Sequence, residues 1–201
     1  MFLEETTEQM ALRHELRAYY EEILTPEVRD GLAAAGEGGE VWRDVVMRMG
    51  KDGWLGIGWP QEFGGQGRPA TDQFIFFDET RRAGAPFPFV TINTVGPTMM
   101  TYGTDEMKSF YLPKILAGEL IFAIGYTEPQ AGTDLAALST RAVKDGDEYV
   151  INGNKIYTPR GPMMLTTSGL PAARTSMPRS TKEFRSSAFQ LLLKVLSGVR
   201  L

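Results

Sequence analysis

The chain has 201 residues, of which 42% are hydrophobic and 23% are charged, as is usual for a globular protein with a packed core. It has no cysteine, which excludes disulfides and thiolate metal sites. Its one histidine, His14, cannot supply a zinc cluster or a Ser–His–Asp triad alone, and we interpret it as a surface or packing residue. No apolar run is long enough to cross a membrane, and the acidic pair Glu4-Glu5 is unlike a signal peptide, so we expect a cytoplasmic protein.

The net charge changes sign along the chain. Residues 1–158 carry 14 basic and 24 acidic side chains, a balance of −10, whereas residues 159–201 carry 7 basic side chains and 1 acidic side chain, a balance of +6. The second segment also contains no Asp, Asn, Ile, Tyr, Trp or His. Such a break in composition is typical of a domain boundary, a tail or a sequence artefact.

Two amphipathic helices are predicted near the start of the chain, because apolar side chains recur there at helical spacing. The first helix runs from Thr6 to about Ile23, and it ends before Pro26, whose predecessor resists the helical conformation. Its expected buried face consists of Met10, Leu16, Tyr20 and Ile23. A glycine-rich loop at 35–39 precedes the second helix, which Gly53 ends. The apolar face of this second helix comprises Val41, Trp42, Val45, Val46 and Met49.

A long connection rich in glycine and proline spans residues 56–67, and it lacks the Lys-Ser/Thr pair of a phosphate-binding loop. A third helix is predicted after it and extends to Arg82, with Thr71 or Asp72 as its N-cap. We expect three phenylalanines of this helix to be largely buried, namely Phe74, Phe76 and Phe77.

Three further helical segments follow. The uncharged stretch 92–102 predicts a buried helix in spite of Gly96-Pro97. Thr104 is the expected N-cap of a helix over 105–111, whose acidic first turn suits the helix dipole. Pro113 is expected to open a last short helix.

The hydrophobic period changes after Gly118 to that of β-strands. Four strands are predicted, at residues 121–126, 138–143, 149–151 and 155–158. A hairpin turn at 144–147 joins the second strand to the third, and a tight turn at 152–154 leads to the fourth. Helices followed by an antiparallel sheet predict an α+β fold with two packed units.

The stretch that carries the chemistry is Tyr126-Thr127-Glu128-Pro129-Gln130-Ala131-Gly132-Thr133-Asp134, directly after the first predicted strand. Gly132 has no side chain to block the approach of a ligand. The hydroxyls of Thr127 and Thr133 offer hydrogen bonds to an oxygen-rich ligand. Composition alone nevertheless favours an ordinary polar turn.

Four segments, taken in order, resemble the acyl-CoA dehydrogenase family. The stretch 126–134 is similar to a signature of that family, in which a strand runs into Thr-Glu-Pro, a small-residue pair, Ser or Thr, and Asp; Thr133 stands where serine is common and keeps the hydroxyl. The other segments are GWLGIGWPQEFGGQG at 53–67, GTDEMKSFYLPKILAGE at 103–119 and GDEYVINGNKIYT at 146–158. The resemblance therefore covers roughly residues 1–158.

This resemblance implies an N-terminal helical domain over 1–118, the start of an antiparallel middle β-barrel domain over 119–158, and an aberrant segment over 159–201. It also implies an FAD cofactor at the end of the first strand. The expected cofactor-binding residues are Ile124, Gly125, Tyr126, Thr127, Glu128, Gly132, Thr133, Tyr157 and Thr158. Thr133 is also expected to reach the bound thioester substrate.

The implied reaction is α,β-dehydrogenation of an acyl-CoA thioester, in which a carboxylate base removes the α-proton and the flavin accepts a hydride from the β-carbon. The family's base comes from a C-terminal helical domain, so no residue here is assigned as the base, and Glu128 is rejected for that role. Glu62 and Asp134 are interpreted as turn or capping groups. The stretch 84–88 and the loop 130–135 resemble the branch that handles sterol side-chain thioesters.

Two functions remain open. The first is an FAD-dependent dehydrogenase by descent, truncated and inactive as this chain; the family then implies an acceptor such as an electron-transfer flavoprotein and a homo- or hetero-oligomer of the full-length protein. The second is a non-catalytic remnant or partner subunit that binds a full-length relative. A nucleic-acid partner is not expected, because the basic segment has few aromatic residues and no recognised module.

The sequence departs from the family after Thr158, where the family continues with Ser-Gly-Ala and more strand. Joining the last base of each codon to the first two bases of the next permits Ser-Gly-Ala-Asp-Asp-Ala-Asp-Tyr-Ile-Trp-Leu-Ala across 159–171. The junction of Met163 and Met164 must give Asp, because methionine has one codon. A shifted reading frame explains the charge change, the missing residue types and the lost motif together, whereas a genuine basic tail explains only the charge. In the printed frame we expect this segment to add no strand to the sheet.

Overall fold

Helices dominate the first part of the chain and strands the second. The computed structural model describes residues 4–36, 38–145, 148–157 and 167–171. The helices are α1 Thr7–Ile23, α2 Pro26–Ala35, α3 Glu40–Lys51, α4 Ala70–Ala83, α5 Gly96–Tyr102 and α6 Asp105–Leu116. The strands are β1 Ile121–Gly125, β2 Arg141–Asp145, β3 Glu148–Asn152 and β4 Thr167–Pro171. Short 3₁₀ turns lie at Trp54–Gly56, Gln61–Phe63 and Leu135–Ala137, and a π-helical turn at Thr91–Val95.

Helix α1 begins with a capping box. The Thr6 hydroxyl accepts a hydrogen bond from the Gln9 N–H (3.2 Å), and the Gln9 side-chain oxygen accepts one from the Thr6 N–H (2.9 Å). The buried residues of α1 are Leu12, Leu16 and Tyr20, which follow one another at intervals of four. The expectation that Met10 is buried was wrong: it is 47% exposed, because two residues correspond to more than half a turn and place it away from Leu12.

Helix α2 was not predicted, although its N-terminal signals stand in the sequence. Thr25 is the N-cap, with its hydroxyl accepting from the Val28 N–H, and Pro26 occupies the first helical position, where its missing N–H costs nothing. No residue of α2 is fully buried, so the apolar period that identified the other helices is weak here.

Helices α1 and α4 pack together through a buried ionic cluster. The Glu79 carboxylate, 2% exposed, accepts hydrogen bonds from Arg17 Nε (2.9 Å) and Arg13 Nη1 (2.7 Å). These bonds, the Arg17 bond foremost, hold the pKa of Glu79 below its ordinary value in spite of burial. Next to the cluster, the Tyr20 and Thr80 hydroxyls are hydrogen-bonded at 2.5 Å. These directional bonds set the register of α1 against α4, in addition to the apolar contacts between the two helices.

The third predicted helix is confirmed as α4, with two corrections. It begins at Ala70, after Pro69, and neither Thr71 nor Asp72 is its N-cap. Phe76 is fully buried and stacks on Trp54 at 6.2 Å, but Phe74 is 65% exposed. Positions 74 and 76 lie on opposite sides of a helix, so one helix cannot bury both against a single neighbour.

The predicted helix over 92–102 is confirmed as a π-helical turn that runs directly into α5. It is buried on one face only, since Ile92, Val95 and Met99 are buried but Tyr102 is 61% exposed. The buried indole N–H of Trp59 donates to the Ile92 carbonyl in that turn (3.0 Å). Gly96 lies against the Trp59 ring, so closely that a Cβ would overlap ring atoms. The Thr91 hydroxyl accepts from the Phe122 N–H of β1 (2.8 Å), which anchors the first strand to the helical region.

Helix α6 is a single helix, which corrects the division expected at Pro113. Thr104 is its N-cap, as predicted, with its hydroxyl accepting from the Met107 N–H (3.3 Å). Pro113 lies inside the last turn. A proline there removes one helical hydrogen bond near an end, where the buried Leu112 and Ile115 hold the turn in place.

The strands form two pairs among the described residues. β2 and β3 are antiparallel, with Val143 opposite Val150, as the predicted hairpin requires. β1 pairs with β4 in parallel, with Ala123 opposite Gly169, which the expectation of an antiparallel sheet did not include. β4 lies after residue 158, so the expectation that this segment adds no strand was wrong.

Two strand boundaries also differ from the prediction. Residues 138–140 precede β2 and are not part of it, because Ser139 and Thr140 direct their N–H groups to the Glu128 carboxylate. Residues 155–157 form no strand, since the Ile156 N–H to Thr127 carbonyl bond (3.0 Å) is isolated and does not extend into a ladder. Thr158, the end of that predicted strand, lies outside the described residues.

Candidate functional site

Strand β1 delivers the candidate site to the surface. Its first three residues, Ile121 to Ala123, are buried, Ile124 is half-buried and Gly125 is buried. The chain then leaves the strand, and Tyr126 is 46% exposed while Thr127 is half-buried. The side chains predicted to meet a ligand therefore begin where the core ends.

A tight turn follows at residues 128–131. The Glu128 N–H donates to the Ala131 carbonyl (2.8 Å), and the Ala131 N–H donates to the Glu128 carbonyl (3.1 Å). Ala131 is buried under this turn. The reciprocal bonds fix the path of the chain from Thr127 to Gly132.

The Glu128 carboxylate points into the protein. Oε2 accepts from the Ser139 N–H (2.6 Å), the Ser139 hydroxyl (2.8 Å) and the Gln130 amide (2.7 Å). Oε1 accepts from the Thr140 N–H (2.9 Å) and from Lys155 Nζ (2.9 Å). With its side chain fully buried and five donors around it, this carboxylate ties three segments of the chain together.

Burial alone would raise the pKa of Glu128, but the hydrogen bonds from Lys155, Thr140 and Ser139 outweigh it and hold the pKa far below the ordinary value. A general base needs a pKa near the working pH and a free oxygen directed at the substrate. Glu128 has neither, so its rejection as the base agrees with the geometry. Its expected role in cofactor binding stays a prediction, although its carboxylate and its main-chain N–H and carbonyl groups are all hydrogen-bonded within the protein.

Lys155 and Ile156 run beside the end of β1. Lys155 Nζ donates to the Tyr126 carbonyl (3.2 Å) as well as to Glu128, and the Ile156 N–H donates to the Thr127 carbonyl (3.0 Å). The Lys155 side chain is only 14% exposed. Both carbonyl groups of the 126–127 segment are thus held by this neighbouring segment.

Gly132 and Thr133 lie on the exposed side of the loop. No atom lies within 4 Å of the position that a Gly132 Cβ would take, and its φ is not in the left-handed region. Neither packing nor backbone conformation among the described residues therefore requires glycine here. The Asp134 carboxylate accepts from the Ala136 N–H (3.0 Å), the capping role predicted for it.

Tyr157 is 84% exposed and is the non-glycine residue of the described chain with a positive φ (53°). It follows Lys155 and Ile156, so it lies at the same edge as Tyr126 and Thr127. The remaining predicted site residue, Thr158, lies outside the described residues.

Sequence reasoning missed the residues that support the site from behind. Ser139, Thr140 and Lys155 were not singled out, although Lys155 is a charged residue directly before the apolar pair Ile156-Tyr157, a weak signal of a buried partner. Gly153 was treated as a turn residue only. It also lies against Thr140, where a Cβ would overlap the hydroxyl group.

Other kinds of site are not found in the described part of the chain. No group of three or more His, Cys, Asp or Glu side chains there is arranged to hold a metal ion. Within the same residues, no helix is long and apolar enough to cross a membrane.

Comparison with known proteins gives the site its context. Residues 6–119 match the family model of the acyl-CoA dehydrogenase N-terminal domain, and residues 123–194 match that of the acyl-CoA dehydrogenase middle domain. The acyl-CoA dehydrogenase FadE26 of Mycobacterium tuberculosis is 58% identical over 156 residues, which make up 76% of this chain and 39% of the relative.

Solved structures agree. The ChsE4–ChsE5 complex from Mycobacterium tuberculosis superposes with a TM-score of 0.80 at 53% identity, covering 88% of this chain and 45% of that chain. The Tcur3481–Tcur3483 steroid ACAD superposes with a TM-score of 0.80 at 55% identity, covering 90% and 47%. The chain therefore spans less than half the length of these relatives, and it belongs to the acyl-CoA dehydrogenase family.

Proposed function

We propose that the end of β1, the loop 126–133 and Tyr157 bind FAD. The observation that carries the proposal is the division of this region into two sides. Tyr126, Gly132, Thr133 and Tyr157 are exposed, whereas the charged groups Glu128 and Lys155 are turned inward. The open space at Gly132 admits a ligand close to the main chain, which is what a large planar cofactor with a pyrophosphate requires.

The residues fit distinct parts of the cofactor. Tyr126 and Thr127 offer main-chain and hydroxyl groups to the flavin ring, and Tyr157 would border the ring from the neighbouring segment. Thr133 would direct its hydroxyl to the pyrophosphate and to the thioester. Bound FAD would supply the redox chemistry by accepting a hydride from the β-carbon of the substrate, while this part of the protein supplies position and excludes water.

The proposed substrate is an acyl-CoA thioester with a sterol side chain as the acyl group. The similarity of the 84–88 stretch and the 130–135 loop to that branch supports it, as does the structural similarity to a steroid ACAD. Similarity to the ChsE4–ChsE5 complex supports assembly with a second subunit when the protein is full length. We also propose that an electron-transfer flavoprotein accepts the electrons from the reduced flavin. The proposed location is the cytoplasm.

We further propose that this chain alone does not catalyse the dehydrogenation. Of the carboxylates described near the site, Glu128 is fully hydrogen-bonded and Asp134 caps a turn, so neither is free to remove an α-proton. The alternative function is that of a partner subunit, whose helical region binds a full-length relative. Flavin retention separates the two, because only the first requires a cofactor site.

The composition break after Thr158 is best explained by a shifted reading frame. The register of β4 supports this explanation, because the shifted frame permits Ile, Trp, Leu and Ala across 167–171, opposite β1 residues 121–125. Ile and Trp are favoured in strands, whereas the printed Gly169 and Pro171 are not. The middle-domain match to residue 194 favours the competing explanation of a genuine segment. Sequencing the gene across codons 158 and 159 distinguishes them.

The cofactor proposal is tested by expressing the chain with its frame restored after Thr158. The purified protein should retain FAD, detected as flavin absorbance that co-elutes with the protein. The same protein with Gly132→Val should lose flavin without unfolding, because the added side chain fills the open space at the loop. A restored chain that is folded and colourless, and that does not take up added FAD, would favour the partner-subunit function.

A further inference from the structure

We propose that Lys155 is a positioning residue that fixes the direction of the Thr127 N–H group toward the flavin. The inference rests on the proposed function, and it assigns a role to a charged side chain that faces away from the ligand. Lys155 would touch neither cofactor nor substrate. It acts through the peptide group between Tyr126 and Thr127.

The peptide geometry gives the first step. Lys155 Nζ donates to the Tyr126 carbonyl at 3.2 Å. The peptide is trans, so the carbonyl of residue 126 and the N–H of residue 127 point in opposite directions. Because the carbonyl is held toward the ammonium group, the Thr127 N–H is directed away from it. No acceptor for that N–H is found among the described residues, which leaves it available to a ligand.

The anchoring of Lys155 gives the second step. Its ammonium group lies 2.9 Å from Glu128 Oε1, and the other partners of that carboxylate include the N–H groups of Ser139 and Thr140. A carboxylate held by main-chain donors cannot rotate to follow a moving lysine. The chain of contacts therefore runs from the main chain at 139–140 through Glu128 and Lys155 to the Tyr126 carbonyl.

The charge gives the third step. An ammonium group on the carbonyl oxygen polarises the peptide and strengthens its N–H as a donor. A stronger donor stabilises an acceptor that becomes more negative. A flavin ring gains negative charge on reduction, so Lys155 should favour the reduced flavin and make its reduction potential more positive.

The test uses the frame-restored chain and three variants. Lys155→Met removes the charge and the hydrogen bond, Lys155→Arg keeps both, and Lys51→Met is the control, since Lys51 is an exposed residue in the last turn of α3. FAD affinity is measured by quenching of flavin fluorescence, and the reduction potential by equilibration with a reference dye. Unfolding by urea, followed by tryptophan fluorescence, reports whether each variant is folded.

We expect Lys155→Met to weaken FAD binding by about tenfold, because the Thr127 N–H is then no longer held toward the ligand and its hydrogen bond weakens, and to make the potential more negative. Lys155→Arg should recover the potential, and Lys51→Met should match the unchanged protein. A purely structural role would lower stability without moving the potential. If folded Lys155→Met keeps both the affinity and the potential, or if Lys155→Arg shifts the potential as far as Lys155→Met, the inference is wrong. A restored chain that binds no FAD would contradict the proposed function itself.

Discussion

The helical region and the segment after β1 are stabilised in different ways. In the helices the buried residues are mostly large and apolar, and Leu16, Phe76 and Ile115 have no exposed surface at all. After β1, the buried residues include the polar pair Glu128 and Thr140, and hydrogen bonds to one carboxylate join the loops. The helical region is thus held mainly by apolar packing, with the Glu79 cluster between α1 and α4 as a polar addition, whereas the segment after β1 is held mainly by a polar network.

The difference explains why the candidate site lies where it does. A packed apolar core tolerates little open space, whereas loops fixed from behind by hydrogen bonds leave their outer surface free for a ligand. The hairpin of β2 and β3 shows the same lack of apolar cover, with Val143 and Val150 both exposed. Substitutions in the helical core should therefore lower the free energy of unfolding. Substitutions on the exposed side of the loop should instead weaken ligand binding.

The largest effect is expected for Phe76→Ala in the helical core. Removing this fully buried ring, which stacks on Trp54, should lower the free energy of unfolding by about 3–5 kcal/mol. Phe74→Ala, on the exposed side of the same helix, should change it by less than about 0.5 kcal/mol. Urea unfolding followed by tryptophan fluorescence measures both. Equal losses in the two variants would show that α4 does not pack as described.

The second-largest difference in stability is expected between substitutions at two glycines, one in the helical region and one in the loop. Gly96→Ala places a methyl group into the Trp59 ring, so the ring must move and its bond to Ile92 is strained; we expect a loss of about 1–3 kcal/mol in unfolding free energy. Gly132→Ala meets no atom and should leave stability within about 0.5 kcal/mol. In the frame-restored chain, Gly132→Ala should weaken FAD binding more than Gly96→Ala does, the opposite of their effects on stability. A large stability loss at Gly132 would mean that this glycine serves the fold.

The helical region was the easier part to predict from sequence, because its stabilising residues repeat at helical spacing. Leu16 and Tyr20 on α1 and Val46 and Met49 on α3 are buried as that spacing requires. The failures occurred where the period is weak or local. Helix α2 buries no residue completely, and the position of Pro113 inside α6 depends on tertiary packing, which local propensity does not contain.

The site was predictable only in part. The exposed residues after β1 lie in one contiguous stretch, so a motif identifies them. The groups that hold the loop come from distant positions, and Lys155 is 27 residues from Glu128. A contact over that distance leaves no periodic trace in one sequence. The parallel pairing of β1 with β4 was missed for the same reason, since pairing partners are set by the tertiary fold.

The pH dependence of stability tests the polar network. The folded pKa of Glu128 is depressed, so the carboxylate stabilises the fold fully above its unfolded pKa of about 4.3, and this contribution is lost as the pH falls below that value. Glu128→Gln should therefore be less stable by about 1–3 kcal/mol near neutral pH, and the difference should shrink steadily as the pH falls from about 4.3 toward the much lower folded pKa. Urea unfolding at several pH values measures it. In the restored enzyme the same variant should keep the flavin-reduction step within about tenfold, because Glu128 is not the base.

The smallest effect is expected for the exposed hydroxyl of the loop. In the frame-restored chain, Thr133→Val should weaken FAD or thioester binding by about 1–2 kcal/mol and leave the unfolding free energy unchanged, since the described Thr133 is exposed. Titration of the cofactor with a fluorescence readout measures the affinity. Thr133→Ser, which keeps the hydroxyl, serves as the control. If Thr133→Val and Thr133→Ser bind equally well, the hydroxyl has no role in binding.

The most direct test of the account is the response of flavin to an acyl-CoA thioester under anaerobic conditions. Absorbance spectra are recorded for the 201-residue chain and for the frame-restored chain, before and after a sterol side-chain thioester is added. We expect the restored chain, supplied with its partner subunit where it requires one, to be yellow and to bleach on addition, and the 201-residue chain to show no substrate-dependent bleaching. A yellow 201-residue chain that bleaches with the thioester would contradict the account, because the segment after Thr158 would then be genuine and the chain complete in its catalytic groups.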